Sequence, residues 1–297
     1  MAAPGASRAR ERLDLIGLLA PWLFTFLFFG LVPLLWSLVL SGMHDSPLNP
    51  GAAAWIGADN YRRLIGGPRF WQSLANTLYF TVGTLPLTTG LALLLALALD
   101  RPLPGRNIMR AAFFVPTVIS LAVIALVFKE LYAREGGVNH VLGAVGVPAR
   151  AWLLEPRFAL PAIMAMDVWA AAGYYMLLFL AGLQTVPRAL HEAVALDGGG
   201  RWARVRHVTL PHLRPVLLFV VVLNTIRSLQ VFVEVFVMTM VGPLGHTRTV
   251  VYDLYETAFS HLDFGMASAI AWTLAVVIGL IAILEARYLR AGGAAAE

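Results

Sequence analysis

Residues 15–40 contain no Asp, Glu, Lys or Arg. This run limits the fold more than any other feature, because about 20 predominantly apolar residues suffice to cross a bilayer core as a helix. Lipid offers no water to the backbone, so the segment must close its own N–H and C=O groups in a helix. Comparable runs follow at 75–99, at 111–131, at 158–183 (interrupted by Asp167), at 215–241 (with Arg227 and Glu234 inside) and at 264–287. The third has its uncharged part at Ala111–Phe128 and extends if Lys129 snorkels. The expectation is an all-α integral membrane protein with six transmembrane helices in one domain, 15–290, flanked by tails at 1–14 and 291–297. The chain is 59% hydrophobic and 13% charged, with a mean hydropathy of +0.74. A soluble domain could not bury that much apolar surface, so soluble enzyme folds are set aside. The first run is not a cleavable signal. It has a basic flank (Arg8, Arg10, Arg12), but it far exceeds the about 7–15 residues of a signal core. It also lacks an Ala-x-Ala site before the turn-rich stretch His44–Pro50.

Six spans place both termini on one side. If that side is the cytoplasm, 13 Lys and Arg lie inside and 8 outside, which the positive-inside rule favours. The short loop 100–110, with Arg101, Arg106 and Arg110, agrees. The other inner loop, 184–214 between the fourth and fifth helices, is long. The net charge of +5 comes from 21 Arg and Lys129, and it reports topology rather than nucleic-acid binding. With no cysteine there are no disulfides, thiolate metal sites or Fe–S clusters.

Catalytic motifs are missing where they would be needed. A P-loop requires G-x-x-x-x-G-K-[ST], and Lys129 sits between Phe128 and Glu130. His191-Glu192 opens an H-E-x-x-H pattern that fails at Ala195, and no G-x-S-x-G elbow occurs. Gly198–Ala203 fits the loose dinucleotide pattern, but residues 188–197 before it read as helix rather than strand, so no nucleotide site is assigned. No cofactor and no metal are expected on this chain.

The inner loop carries more information. Pro187 is placed to open a helix, Arg188–Leu196 is rich in helix formers, and the glycines at 198–200 stop it. Asp197 is expected to cap the next turn, and a second short helix, about 201–209, to end at Pro211. The product is two short helices at a fixed elbow. From the residues alone it is either a rigid knob for a groove on another protein or an amphipathic segment on lipid headgroups. The glycines favour the first, the arginines the second.

Glu192-Ala193-Val194-Ala195-Leu196-Asp197-Gly198, followed by Val208-Thr209-Leu210-Pro211, resembles the EAA loop of binding-protein-dependent ABC importer permeases. Val194 and Gly199 depart from the usual alanines. Asn76-Thr77-Leu78, Phe113–Pro116, Leu180–Gln184 and Met238-Thr239 are similar to the carbohydrate-import type, the maltose and glycerol-3-phosphate permeases. Asn60-Tyr61, Phe70-Trp71 and Trp152-Leu153 match too, and the likeness is to the first of the two paired permeases. The resemblance implies a second permease, two cytosolic ATPase subunits that use ATP and Mg, an extracytoplasmic solute-binding protein, and a bacterial cytoplasmic (inner) membrane. It assigns Glu192, Ala193, Asp197, Gly198, Leu210 and Pro211 to ATPase coupling, and it implies alternating access.

Inside the membrane, Arg227 and Glu234 each cost about 2.5–3.5 kcal/mol on insertion scales. With Gln230, and with Asn224 one turn earlier, they are expected on one helix face. That face is either a polar wall of the solute path, a structural ion pair, or a contact with the partner permease. Trp169 and Tyr174-Tyr175 are read as an interfacial belt, and Asn76 and Ser120 as candidates for helix–helix hydrogen bonds. The alternative to a permease subunit is a self-sufficient secondary carrier, although the two halves show no internal repeat. A membrane-embedded enzyme would need convergent acid/base or metal groups, and Asp167, Arg227 and Glu234 are too sparse for that.

Overall fold

The computed structural model describes residues 16–45 and 53–294. The expected N-terminal tail, 1–14, and the last three residues lie outside that range. The chain divides into two compact units. One comprises residues up to Gly66 together with Leu254–Thr273, and the other Gly67–Asp253 together with the residues from Leu274 onward.

In the first unit, α1 (Ile16–Ser41) is apolar and exposed along its length, as a lipid-facing helix must be. It leads into a two-residue ribbon that an all-helical reading does not anticipate. Strand β1 (Met43–His44) pairs antiparallel with β2 (Ala54–Trp55), Met43 opposite Trp55. Asn60 on α2 (Asp59–Gly66) fixes the ribbon by donating to the carbonyls of Ser41 and Met43 at 3.0 and 2.8 Å. Trp272 Nε1 donates to Ser37 Oγ at 3.2 Å.

The second unit is organised on α7 (Pro156–Leu183), which buries residues on all sides, from Ala159 through Asp167 to Leu183. It packs against α3 (Pro68–Leu99) and α4 (Arg106–Val118). One apolar cluster gathers Phe80, Ile124, Ile163, Met166 and Val235, and another Ala92, Tyr175, Met176, Phe179 and Val220. Gly173 sets how close α4 comes: a β-carbon there would overlap the Phe113 carbonyl. On α3 the buried hydroxyls of Thr77, Thr81 and Thr84 each return to the carbonyl four residues back, which satisfies them inside an apolar helix.

The expected third span, 111–131, is not one helix. It is α4 followed by α5 (Leu121–Leu131), bent by 97°. Pro116 lacks an N–H, the β-branched run Thr117–Ile119 is a poor helix former, and Ile119 and Ser120 are extended (ψ 141° and 128°). Ser120 therefore sits exposed at the corner, preceding α5, rather than inside a helix–helix contact. The fifth segment also breaks: α10 (Arg214–Leu229) is followed by α11 (Val233–Met238) across Gln230–Phe232. Here the backbone leaves the helix at Phe232 (φ −144°, ψ −57°), and Thr249 Oγ1 donates to the freed Val231 carbonyl at 2.9 Å. Helix α13 (Phe264–Ala294) runs through the expected sixth span, 264–287. Among the described residues five helices are long and apolar enough to cross a membrane, or six if the bent pair counts as one span.

Candidate functional site

Two constellations stand out, one in the connection 184–214 and one buried between α7 and α10.

The connection begins at Pro187, whose backbone (φ −61°, ψ 131°) turns the chain into α8 (Arg188–Leu196). The helix ends in a Schellman motif. Gly199 N–H donates to Val194 O at 2.8 Å, Gly198 N–H donates to Ala195 O at 3.1 Å, and Gly198 is left-handed (φ 76°). Asp197 is the last residue of the helix turn, with its own N–H bonded to Ala193 O, and Gly200 precedes α9 (Arg201–Arg204). The expected Asp197 cap on the second helix is thus not made, because the reversal at 198–199 leaves Gly200 in that position. Pro211 does not end the second helix either. A π-turn over Val205–Thr209 widens the ring spacing, and helical backbone continues through Leu210–His212. The wider turn removes the demand for an N–H at the proline. Thr185 Oγ1 and His212 Nε2, 3.2 Å apart, join the two ends of the connection.

Glu192, Ala193, Asp197 and Gly198 are exposed, as is Pro211, while Leu210 is half-buried. Leu190, Leu196 and Trp202 are 45%, 88% and 72% exposed. Large apolar side chains this exposed, two on α8 and one on α9, are a feature of contact surfaces rather than of short helices free in water.

The second constellation is ionic. Asp167, 1% exposed on α7, receives both guanidinium nitrogens of Arg227, at 3.1 and 2.5 Å. Glu234 lies 3.7 Å from the same guanidinium. Arg227, Tyr174, Tyr175 and Thr117 form walls of a cavity of about 250 Å³ at the corner of the bent pair. The expected single face of Asn224, Arg227, Gln230 and Glu234 is broken by the interruption after Leu229. Gln230 ends α10 and is exposed, whereas Glu234, in α11, stays within 3.7 Å of the Arg227 guanidinium across the interruption. Asn224 is buried, its Nδ2 3.5 Å from Thr89 Oγ1 on α3. Its Oδ1 and Thr88 Oγ1 have no partner among the described residues. Tyr175 is buried rather than part of a belt, whereas Trp169, its ring tilted against Phe128, and Tyr174 stay about half exposed. Asn76 donates to the Gly245 and Arg248 carbonyls of a loop, not to a neighbouring helix. The partnership of Asp167 with Arg227 was the site feature the sequence reading missed. Its signal was there: a lone carboxylate in an apolar span must find a cation.

Several helices long and apolar enough to cross a membrane, packed around a buried charge cluster, define the chain as a helical membrane protein. Residues 88–290 match the family of binding-protein-dependent transport system inner membrane components, and the chain belongs to it. It is a permease subunit of such a system. The chain is 33% identical over 296 residues to the lactose transport system permease protein LacF of Rhizobium radiobacter, covering 96% of this chain and 97% of that one. It is 32% identical over 279 residues to the trehalose/maltose transport system permease protein MalF of Thermococcus litoralis, covering 93% and 92%. The fold is that of a chain in the crystal structure of a bacterial alginate ABC transporter in complex with an alginate pentasaccharide-bound periplasmic protein. The TM-score is 0.83 at 22% identity, over 97% of both chains.

Proposed function

We propose that the chain forms half of the transmembrane path of an ABC importer for a carbohydrate, in a bacterial inner membrane with both termini in the cytoplasm. The bent pair then counts as a sixth span. A second permease completes the path, two cytosolic ATPase subunits supply the energy, and an extracytoplasmic protein delivers the solute. This chain binds no cofactor, and ATP and Mg belong to the ATPase. The names of the lactose and trehalose/maltose relatives support the solute class. The cavity beside Tyr174, Tyr175 and Arg227 supports it as well, since aromatic faces and fixed polar groups suit hydroxylated rings.

The observation that carries the reading is the uncovered elbow. In α8 the exposed leucines and Glu192 form the handle, the left-handed Gly198 fixes its angle, and Ala193, Asp197, Leu210 and Pro211 shape its two arms. ATP binding closes the ATPase pair, the handle moves with it, and α7 and α10 tilt. Only the difference in affinity of ATP and loaded binding protein for the two states drives this exchange. Arg227 and Glu234, and with them Asn224 and Gln230, are assigned to the path and its supporting wall.

The test is uptake of radiolabelled sugar by cells carrying Glu192→Lys together with Gly198→Pro, with membrane insertion checked by immunoblot. Uptake is expected to vanish while insertion persists, and undiminished uptake would overturn the coupling role. Co-purification of the chain from its host should yield the ATPase, the second permease and the binding protein. Sugar transport by the chain alone in liposomes would instead make it a self-sufficient carrier.

A further inference from the structure

Behind the elbow lies a second cavity, of about 460 Å³, that shares no lining residue with the one beside Arg227. Arg101 from the 100–110 connection, His191 from α8, and Arg201 and Arg204 from α9 converge on it. Asp100 is the one carboxylate in its wall. None of the three arginines forms an ion pair among the described residues, and Arg204 Nε is enclosed without any hydrogen-bond partner. Three like charges around one space repel each other, and a buried donor left unpaired is costly. Both penalties disappear when an anion occupies the space. Leu97 and Leu183 make the rest of the wall apolar, which suits a charged head on a carbon stem. Guanidinium forks recognise phosphate oxygens in pairs, and basic pockets beside transmembrane helices on the cytoplasmic side take phosphate head groups.

We infer that this cavity is a binding site for a phosphate ester, with Arg101, Arg201 and Arg204 as its ligands. The site touches the coupling elbow from behind through His191, Arg201 and Arg204, so its occupant stiffens the elbow. The phosphate comes either from an anionic phospholipid or from a soluble phosphorylated compound. The inference uses the 184–214 connection as placed here and does not depend on what the elbow docks to. Its test is therefore a binding measurement in detergent, which is blind to sidedness and to transport.

Thermal unfolding of the full-length purified chain is followed while dioctanoyl phosphatidylglycerol, glycerol 3-phosphate or dioctanoyl phosphatidylcholine is titrated in. A saturable rise in Tm is expected with the first, the second or both, and none with the zwitterionic lipid. A response to phosphatidylglycerol alone identifies a lipid head group, and a response to glycerol 3-phosphate identifies a soluble ester. In Arg101→Gln, at an exposed position of a connection, the half-saturating concentration should rise about tenfold, the weight of one charge-assisted hydrogen bond. In Arg201→Gln with Arg204→Gln the response should be lost, while Arg157→Gln, remote in sequence and outside this cavity, should respond like the parent. No rise in Tm with either anionic probe, or an unchanged titration in both variants, would overturn the site.

Discussion

The side chain of Val194 fills the space that a β-carbon on Gly199 would need: that atom would lie 2.5 Å from Val194 Cγ1 and 2.8 Å from the Val194 carbonyl oxygen. The two positions where the loop departs from the alanines usual in its motif are therefore neighbours, and they depart as a pair. The fold matches a larger side chain at 194 to the missing one at 199. Gly199→Ala alone should strain the Schellman turn and lower uptake severalfold. Val194→Ala with Gly199→Ala should recover only part of it, because the side-chain overlap is removed while the 2.8 Å approach to the Val194 carbonyl remains. The checking measurement is initial uptake rate across the four combinations, and additive losses would show that the two residues do not compensate.

Asp167 and Arg227 call for a second cycle. Removing one member of a buried pair costs about 3–5 kcal/mol when the remaining charge has no other partner. The guanidinium here is one-third exposed and keeps Glu234 at 3.7 Å, so Asp167→Asn should fall at the lower end of that range. Asp167→Asn with Arg227→Gln should be less destabilised than the sum of the single variants, by about 1–3 kcal/mol. Unfolding in detergent measures each value, and strict additivity would mean that the pair contributes no coupling.

The long elements were legible from the sequence because each is a run of apolar residues whose only stable state in lipid is a helix. The elbow was legible because Gly198 meets a local backbone demand that few other residues meet. The breaks were less so. Pro116 marked the first, but the 97° bend depends on Ile119 and Ser120 adopting extended backbone, a tertiary choice. Nothing local marked the second, at Gln230–Phe232, because its freed carbonyl is satisfied by Thr249 from a distant loop. The partnership of Asp167 with Arg227 joins residues 60 positions apart, and charge neutrality inside an apolar bundle was its only sequence signal.

Two glycines in helices of the second unit should respond oppositely to the same change. A β-carbon at Gly173 would overlap the Phe113 carbonyl, so Gly173→Ala must push α4 away from α7. Overpacking of this kind costs about 1–3 kcal/mol. At Gly90, within α3, a β-carbon would meet nothing within 4 Å, so Gly90→Ala should gain about 0.5–1 kcal/mol from helix propensity. Thermal unfolding of both variants in one detergent makes the comparison, and a stabilised Gly173→Ala would show that the two helices are not locked at this contact.

Asn139 makes the last prediction, through a knot of hydrogen bonds that holds the segment between α5 and α7. Its Nδ2 lies 3.1, 3.1 and 2.7 Å from the carbonyls of Ala133, Arg134 and Arg150. Its Oδ1 accepts from Arg150 N–H at 3.2 Å and Trp152 Nε1 at 2.9 Å. An amide supplies two donors on one arm and an acceptor on the other, a combination on separate atoms that a hydroxyl cannot supply. Asn139→Asp places a carboxylate against three carbonyls, while Asn139→Leu leaves all five partners without the side chain. A buried group left unpaired costs about 1–3 kcal/mol, so both variants should be destabilised by at least one such step. Asn139→Asp should recover part of its loss at acidic pH, where the protonated carboxyl regains a donor. Protease protection of the 133–157 connection, measured against pH, separates the two variants, and a resistant Asn139→Leu would show that the segment is held by packing instead.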